Sequence, residues 1–205
     1  MKDRIDTKYF IPEDLNGDSV VVSGGGFLGE WDWYIHKTYE CFLYSFEPFP
    51  ENYSELVKLF PPKFCNRVVV IMAALWDTDA HAILHLVNGK GNGHSLYNRS
   101  EAGKKVFDKL KVKTMRLDTF MRKYKVPQID LLKLNVEGAE VQILNSLDKE
   151  TAKKIKHICF STHERSIITE EDKDRTMNHL EKIGYKVEPY TDPKWDFDNR
   201  WRCSR

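Results

Sequence analysis

The sequence predicts an α/β fold, a mostly parallel sheet with helices on both faces. Three observations carry that prediction. Short apolar segments of strand length alternate along the chain with segments of helical spacing, the order that βαβ units require. The segments at 20–22 and 67–74 are near-continuous runs rich in Val and Ile, as expected of strands covered on both sides. The first of them runs directly into Ser23-Gly24-Gly25-Gly26, which suits a tight strand-to-helix turn.

Taken in order, residues 20–22 form the first strand, and a helix carrying Trp31, Tyr34 and Ile35 follows the glycine turn. Residues 41–46 form a second buried strand, closed by Glu47-Pro48. Residues 50–60 place Tyr53, Leu56, Val57 and Phe60 at helical spacing until Pro61-Pro62 stops the helix. Residues 67–74 form the third strand. The pattern then changes. Residues 80–87, with Ala82, Leu84 and Leu86, and residues 112–117 alternate on either side of a glycine-rich turn at 89–93. They read as a hairpin-like excursion over 78–117 before the main sheet resumes. Asp118 is the expected N-cap of a short helix running to about Tyr124. A fourth strand at 129–135 leads into a helix at 138–147, with Ala139, Val141, Leu144 and Leu147 inward. A fifth strand at 155–161 precedes a helix at 170–183 that Gly184 closes. Residues 185–190 and 200–204 form a final antiparallel pair. The chain reads as a single domain over 1–205, a core from about residue 17 after a lead-in of 1–16.

Composition narrows the class. Of 205 residues, 41% are hydrophobic and 31% charged, a globular balance that excludes disorder, collagen-like repeats and coiled coil as the main state. The apolar runs fall far short of the roughly 18 residues needed to cross a bilayer. Met1-Lys2-Asp3-Arg4 leads into no apolar signal region, so a cytoplasmic protein is expected. Cys41, Cys65, Cys159 and Cys203 share no short spacing, which suggests reduced thiols rather than a zinc site or a disulfide framework. His81, His85 and His94 have no ligand spacing either, so no metal is expected. The net charge of +1 predicts no bulk attraction to polyanions, and nucleic acid is not the expected partner. One strip departs from that balance: Lys104, Lys105, Lys109, Lys111, Lys113, Arg116, Arg122, Lys123 and Lys125 crowd into one short stretch. Its plain reading is a solvated face, and its sharper reading is recruitment of an anionic acceptor.

In open α/β sheets, ligands sit at the carboxyl ends of the strands, near the point where strand order reverses. The residues to inspect are therefore 23–29, 47–48, 74–77, 135–137 and 161–164. The turn Ser23-Gly-Gly-Gly-Phe27-Leu-Gly29 lets a ligand approach the backbone and presents the N–H groups of a helix start. Glu47 follows the second strand, where an acid can accept hydrogen bonds from both hydroxyls of a ribose. Together they point to an adenosine-containing cofactor.

The segments SVVVSGGGFLGEW, YSFEPFPENYSEL, VVVIMAALWDTDA, VKTMRLDTFM and IDLLKLNVEGAEVQILNSL together resemble the FkbM family of methyltransferases, over about residues 17–190. The resemblance implies a Rossmann-like class I methyltransferase fold, a seven-stranded sheet whose last strand is antiparallel. It also implies use of S-adenosylmethionine and O-methylation of a hydroxyl on a sugar, glycan or small natural product. Carried over by position, Ser23, Gly25, Gly26, Phe27 and Gly29 would form the cofactor turn. Glu47 with Pro48 would hold the ribose, Ala74 would lie near the adenine, and Asn135 would sit beside the transferring methyl. The family usually has Asp where this chain has Ser23 and again where it has Asn135. Holding nucleophile and methyl in line supplies much of the acceleration, and a general base helps a hydroxyl attack. His163 and Glu137 are the candidate bases. Other classes stay open: a nicotinamide-dependent oxidoreductase, a non-catalytic cofactor-binding module, and a nucleic-acid methyltransferase using the basic strip.

Overall fold

Seven strands form one sheet and a hairpin forms a second, smaller one in the computed structural model, which describes residues 9–87, 93–98, 100, 103, 105–163, 168–190 and 200–205. In chain order the elements are β1 (Val20–Gly24), α1 (Glu30–Tyr39), β2 (Phe42–Phe46), α2 (Pro50–Leu59), β3 (Val68–Ile71), β4 (Ala74–Leu75), β5 (His81–Val87) and β6 (Val106–Met115). They continue as α3 (Leu117–Lys123), β7 (Ile129–Leu134), α4 (Glu140–Asn145), α5 (Lys149–Ala152), β8 (Ile155–Ser161), α6 (Glu170–Lys182), β9 (Lys186–Pro189) and β10 (Arg200–Ser204). The large sheet runs β3-β2-β1-β7-β8-β10-β9. All its pairings are parallel except those of β10, which is antiparallel to both β8 and β9. That is the mostly parallel sheet with an antiparallel end that the sequence predicts.

Neighbouring residues on the central strands go to opposite faces, and both faces are buried. Val22, Leu132 and Phe160 join Phe120 of α3, Leu144 of α4 and Leu180 of α6. Val21, Leu131 and Cys159 join Trp31 and Ile35 of α1 and Leu56 of α2. This double burial is why the strands read as unbroken apolar runs. Each fully buried side chain of this size contributes roughly 1.5–3 kcal/mol. The four cysteines are free thiols, and burial pushes Cys41 up to about 11. No helix among the described residues is long and apolar enough to cross a membrane.

Several boundaries differ from the sequence reading. The single strand expected at 67–74 breaks at Met72-Ala73, where the Ala73 N–H turns back to the Ile71 carbonyl, and Ala74–Leu75 pairs instead with β6. The excursion is a hairpin, but its second strand starts at Val106 rather than at 112. Arg116, not Asp118, is the N-cap of α3; Asp118 lies in the first turn and pairs with the Arg116 guanidinium at 2.8 Å. The helix expected over 138–147 is shorter, and α5 follows it with Asp148 as its side-chain cap. Residues 88–92 of the glycine-rich turn, Lys104, residues 164–167 and residues 191–199 lie outside the described residues.

Strand order reverses between β1 and β7, since the chain moves outward from β1 to β2 and β3 and later returns to β1's other side. The carboxyl ends of those two strands therefore open the cleft in which a ligand sits.

Candidate functional site

A cavity of about 360 Å³ lies at that switch point, walled by Gly25 and Phe27 after β1, Glu47 and Pro48 after β2, Ala74, and Asn135 with Glu137 after β7. The size suits a small-molecule site. The two turns are held against each other: the Asn135 N–H donates to the Gly24 carbonyl at 3.0 Å. A Cβ on Gly25 would fall 2.0 Å from the Asn135 carbonyl oxygen, and Gly25 has φ +77°, so only glycine fits there.

Glu47 closes the β1 turn from the next strand. One of its carboxylate oxygens accepts the Phe27 N–H at 2.8 Å and the other the Phe49 N–H at 2.9 Å. The side chain is almost wholly buried. Burial pushes its pKa up to about 7 against the pull of those two N–H groups. The Asn52 side chain donates to the same carboxylate, which leaves part of its lone-pair capacity for a ligand.

Beneath the turn lies a buried pair that sequence reasoning missed. The Lys133 ammonium donates to the Gly25 carbonyl at 3.0 Å, and the Asp32 carboxylate of α1 is the opposite charge that acts on it most strongly. Ser45 donates to the Asp32 carboxylate. Burial pushes Lys133 down and Asp32 up, while each opposes the shift in the other. The signal was present as a charged residue in the middle of the apolar strand LLKLN.

The turn after β7 is closed by its own helix. Glu140, fully buried, accepts the Val136 N–H and the Gly138 N–H, both at 2.8 Å. It thereby ties the turn to the start of α4. Glu137 adopts φ +55° and lines the cavity. Phe27 is held at φ +50° on the opposite wall. Left-handed non-glycine residues cost energy and cluster where a surrounding structure imposes them for a purpose.

His163 stands behind this turn. Its Nδ1 is 2.9 Å from Glu140 Oε1 and its Nε2 is 3.6 Å from Glu137 Oε1. The two candidate bases are thus neighbours, but Glu137 is on the cavity wall and His163 is not among its lining residues. Ser23, Gly26 and Gly29 are not lining residues either. Ser23 is completely buried, and the other two glycines pack against Leu56 of α2.

The small sheet and the segment after β5 supply a further wall. Leu84 of β5, His94 and Leu96 face the cavity. Ser95 exchanges two backbone hydrogen bonds with His85 and donates its hydroxyl to the Glu137 carbonyl at 2.7 Å, tying the hairpin to the β7 turn. His94 Nδ1 accepts the Val87 N–H at 3.1 Å, so the neutral ring carries its proton on Nε2. Burial holds its pKa below the ordinary value.

Residues 18–187 match the family model of the methyltransferase FkbM domain. A protein named Methyltransferase 1 from Beauveria bassiana (strain ARSEF 2860) is 26% identical over 149 residues, covering 65% of this chain and 60% of that one. The crystal structure of methyltransferase FkbM from Methylobacillus flagellatus KT superposes with a TM-score of 0.61 at 11% identity, over 92% of this chain and 44% of the other. Fibrillarin of Aeropyrum pernix, solved with natively bound S-adenosyl-L-methionine, gives a TM-score of 0.52 at 15% identity, over 92% of this chain and 67% of that one. At these identities the two structures show a shared fold. The chain spans less than two thirds of the length of Methyltransferase 1 and of the Methylobacillus protein.

Proposed function

Starting from the fact that the chain belongs to the FkbM methyltransferase family, we propose that it transfers a methyl group from S-adenosylmethionine to a hydroxyl on a sugar, glycan or small natural product. The observation that carries this reading is the Glu47 carboxylate on the wall of a cavity at the β1/β7 switch point. The donor set fits the cofactor. Glu47 can accept from both ribose hydroxyls. Pro48, Ala74 and Leu75 offer apolar surface for adenine, and the Gly25 turn lets the amino-acid end approach the backbone. Bound there, S-adenosylmethionine supplies a methyl group on a sulfonium, open to in-line displacement.

The chain's own residues then have three tasks. Asn135 orients polar groups by donating and accepting at one amide. Glu137, on the wall, takes the proton of the attacking hydroxyl. His163, with Nε2 facing Glu137 and Nδ1 facing Glu140, holds that proton behind the wall. One neutral amide and one carboxylate are a poor set for a hard cation, so the reading needs no metal. A cytoplasmic location belongs to the same proposal.

Thermal-shift titration separates this from the nicotinamide alternative. S-adenosylmethionine should raise the melting temperature and NAD should not, since a ligand at about 100 times its Kd adds roughly 2.7 kcal/mol of stability. A shift with NAD alone would replace methyl transfer by an oxidoreductase.

A further inference from the structure

Some of the described basic side chains sit beside acids: Lys58 with Glu55, Lys153 with Glu150 and Lys186 with Glu188, each at 2.7 Å. Arg116 and Arg122 of the basic strip both reach Asp118, at 2.8 and 3.8 Å. Lys109, Lys111 and Lys113 of β6 differ, having no acidic partner among the described residues. They occupy alternate positions of one strand, so they share one face at a repeat of about 6.8 Å. The antiparallel register sets His85, Ile83 and His81 opposite them in the same order. The other face of the hairpin is the buried one, where Leu84, Leu86 and Val112 pack together. Asp108, on the alternate side, turns its carboxylate to the Lys109 N–H.

Two large apolar side chains are exposed within this basic row. Ile83, paired with Lys111 and flanked by the other two lysines, is 44% exposed. Phe107, at the bulge that ends the pairing, is 55% exposed. We propose that this outer face of the β5–β6 hairpin seats the protein on an anionic phospholipid bilayer. Alternating lysines and exposed apolar side chains, with the carboxylate of the intervening Asp108 turned to the Lys109 N–H, match a charged headgroup layer over hydrocarbon. Single-stranded nucleic acid is the lesser fit. It needs a series of aromatic platforms on which bases stack, whereas this face has one phenyl ring, Phe107, at its end and aliphatic Ile83 at its centre. The inner face of the same hairpin gives Leu84 to the cavity wall, so docking holds the cleft beside the membrane surface. The proposal stands independently of methyl transfer.

Vesicle co-sedimentation of the full chain tests it. Phosphatidylcholine vesicles should leave the protein in the supernatant, and vesicles with about 30 mol% phosphatidylserine should pellet it. Raising the salt to about 0.5 M should release most of it. Each lysine near the surface contributes about fivefold, so the combined variant Lys109→Ala, Lys111→Ala, Lys113→Ala should partition about a hundredfold less. The pair Ile83→Ser, Phe107→Ser should weaken binding with all charges kept, which a contact of charge alone would not show. Circular dichroism should be unchanged in both, since all five side chains lie on the exposed face. Absence of binding to the anionic vesicles overturns the proposal, as do variants that bind like the parent. Tighter binding of a single-stranded RNA oligomer, lost in the lysine variant, would assign the face to nucleic acid instead.

Discussion

The turns after β1 and β7 are neighbours that do the same geometric job by different means. Each carries the chain from a parallel strand into a helix, and each holds one non-glycine residue in the left-handed region, Phe27 at φ +50° and Glu137 at φ +55°. The β1 turn is closed from outside, by Glu47 at the end of β2 and by the Lys133 ammonium beneath it. The β7 turn is closed from inside, by Glu140 of its own helix. The first offers a ligand chiefly the backbone at Gly25, while Gly26 and Gly29 pack against Ser45, Leu56 and Leu59. The second leaves Asn135 and Glu137 on the cavity wall. One turn is built to receive a ligand with backbone, and the other to present functional groups to it.

The sharpest break in that comparison is Gly25→Ala. The new Cβ meets the Asn135 carbonyl, a backbone atom, at a residue with φ +77°. Strain and displacement of the β7 turn should together cost about 4 kcal/mol or more, an exceptional value for one methyl. Urea unfolding that shows less than about 1 kcal/mol would mean that the two turns are not locked together. Next in size is Glu140→Ala, which strips the Val136 and Gly138 N–H groups of their acceptor. Leaving buried donors unmade should cost about 2–3 kcal/mol. The same variant should reduce turnover more than cofactor affinity, because the disturbed groups are Glu137 and His163 rather than Glu47. Equal losses in both would erase the distinction between the turns.

The regions also differ in how far the sequence revealed them. β1, β2 and β8 were legible because their apolar runs are set by burial on both faces. The break at Met72-Ala73 was not, because it depends on β6, a partner about 40 positions away whose claim on Ala74 and Leu75 is invisible locally. The first half of β6 was hidden for the opposite reason. Phe107, Asp108, Lys109 and Lys111 are exposed, so the strand has no apolar alternation to show until Val112. At the site, Glu47 and Asn135 could be found because they follow strands, where α/β sheets bind ligands. Glu140 and Asp32 could not, since a charged residue reads as surface until the groups that compensate its burial are known; Lys133 showed only as a charge inside an apolar strand. Glu137 and His163 were both candidates, and only their contact separates the one on the wall from the one behind it.

The central claim is that Glu47 holds the ribose of S-adenosylmethionine, and calorimetric titration of that cofactor as a function of pH tests it most directly. The raised value of about 7 means that ionising this carboxyl costs the fold stability as pH rises from the ordinary carboxylate range through about 7. Ribose hydroxyls donate better to the ionised form, so affinity for the cofactor should strengthen as pH rises through the same value. Glu47→Ala should abolish that pH dependence and weaken binding by about 1.5–3 kcal/mol, the range for hydrogen bonds to a charged group. An alanine variant that binds S-adenosylmethionine as tightly as the parent, with a parent profile flat across that range, would contradict the account.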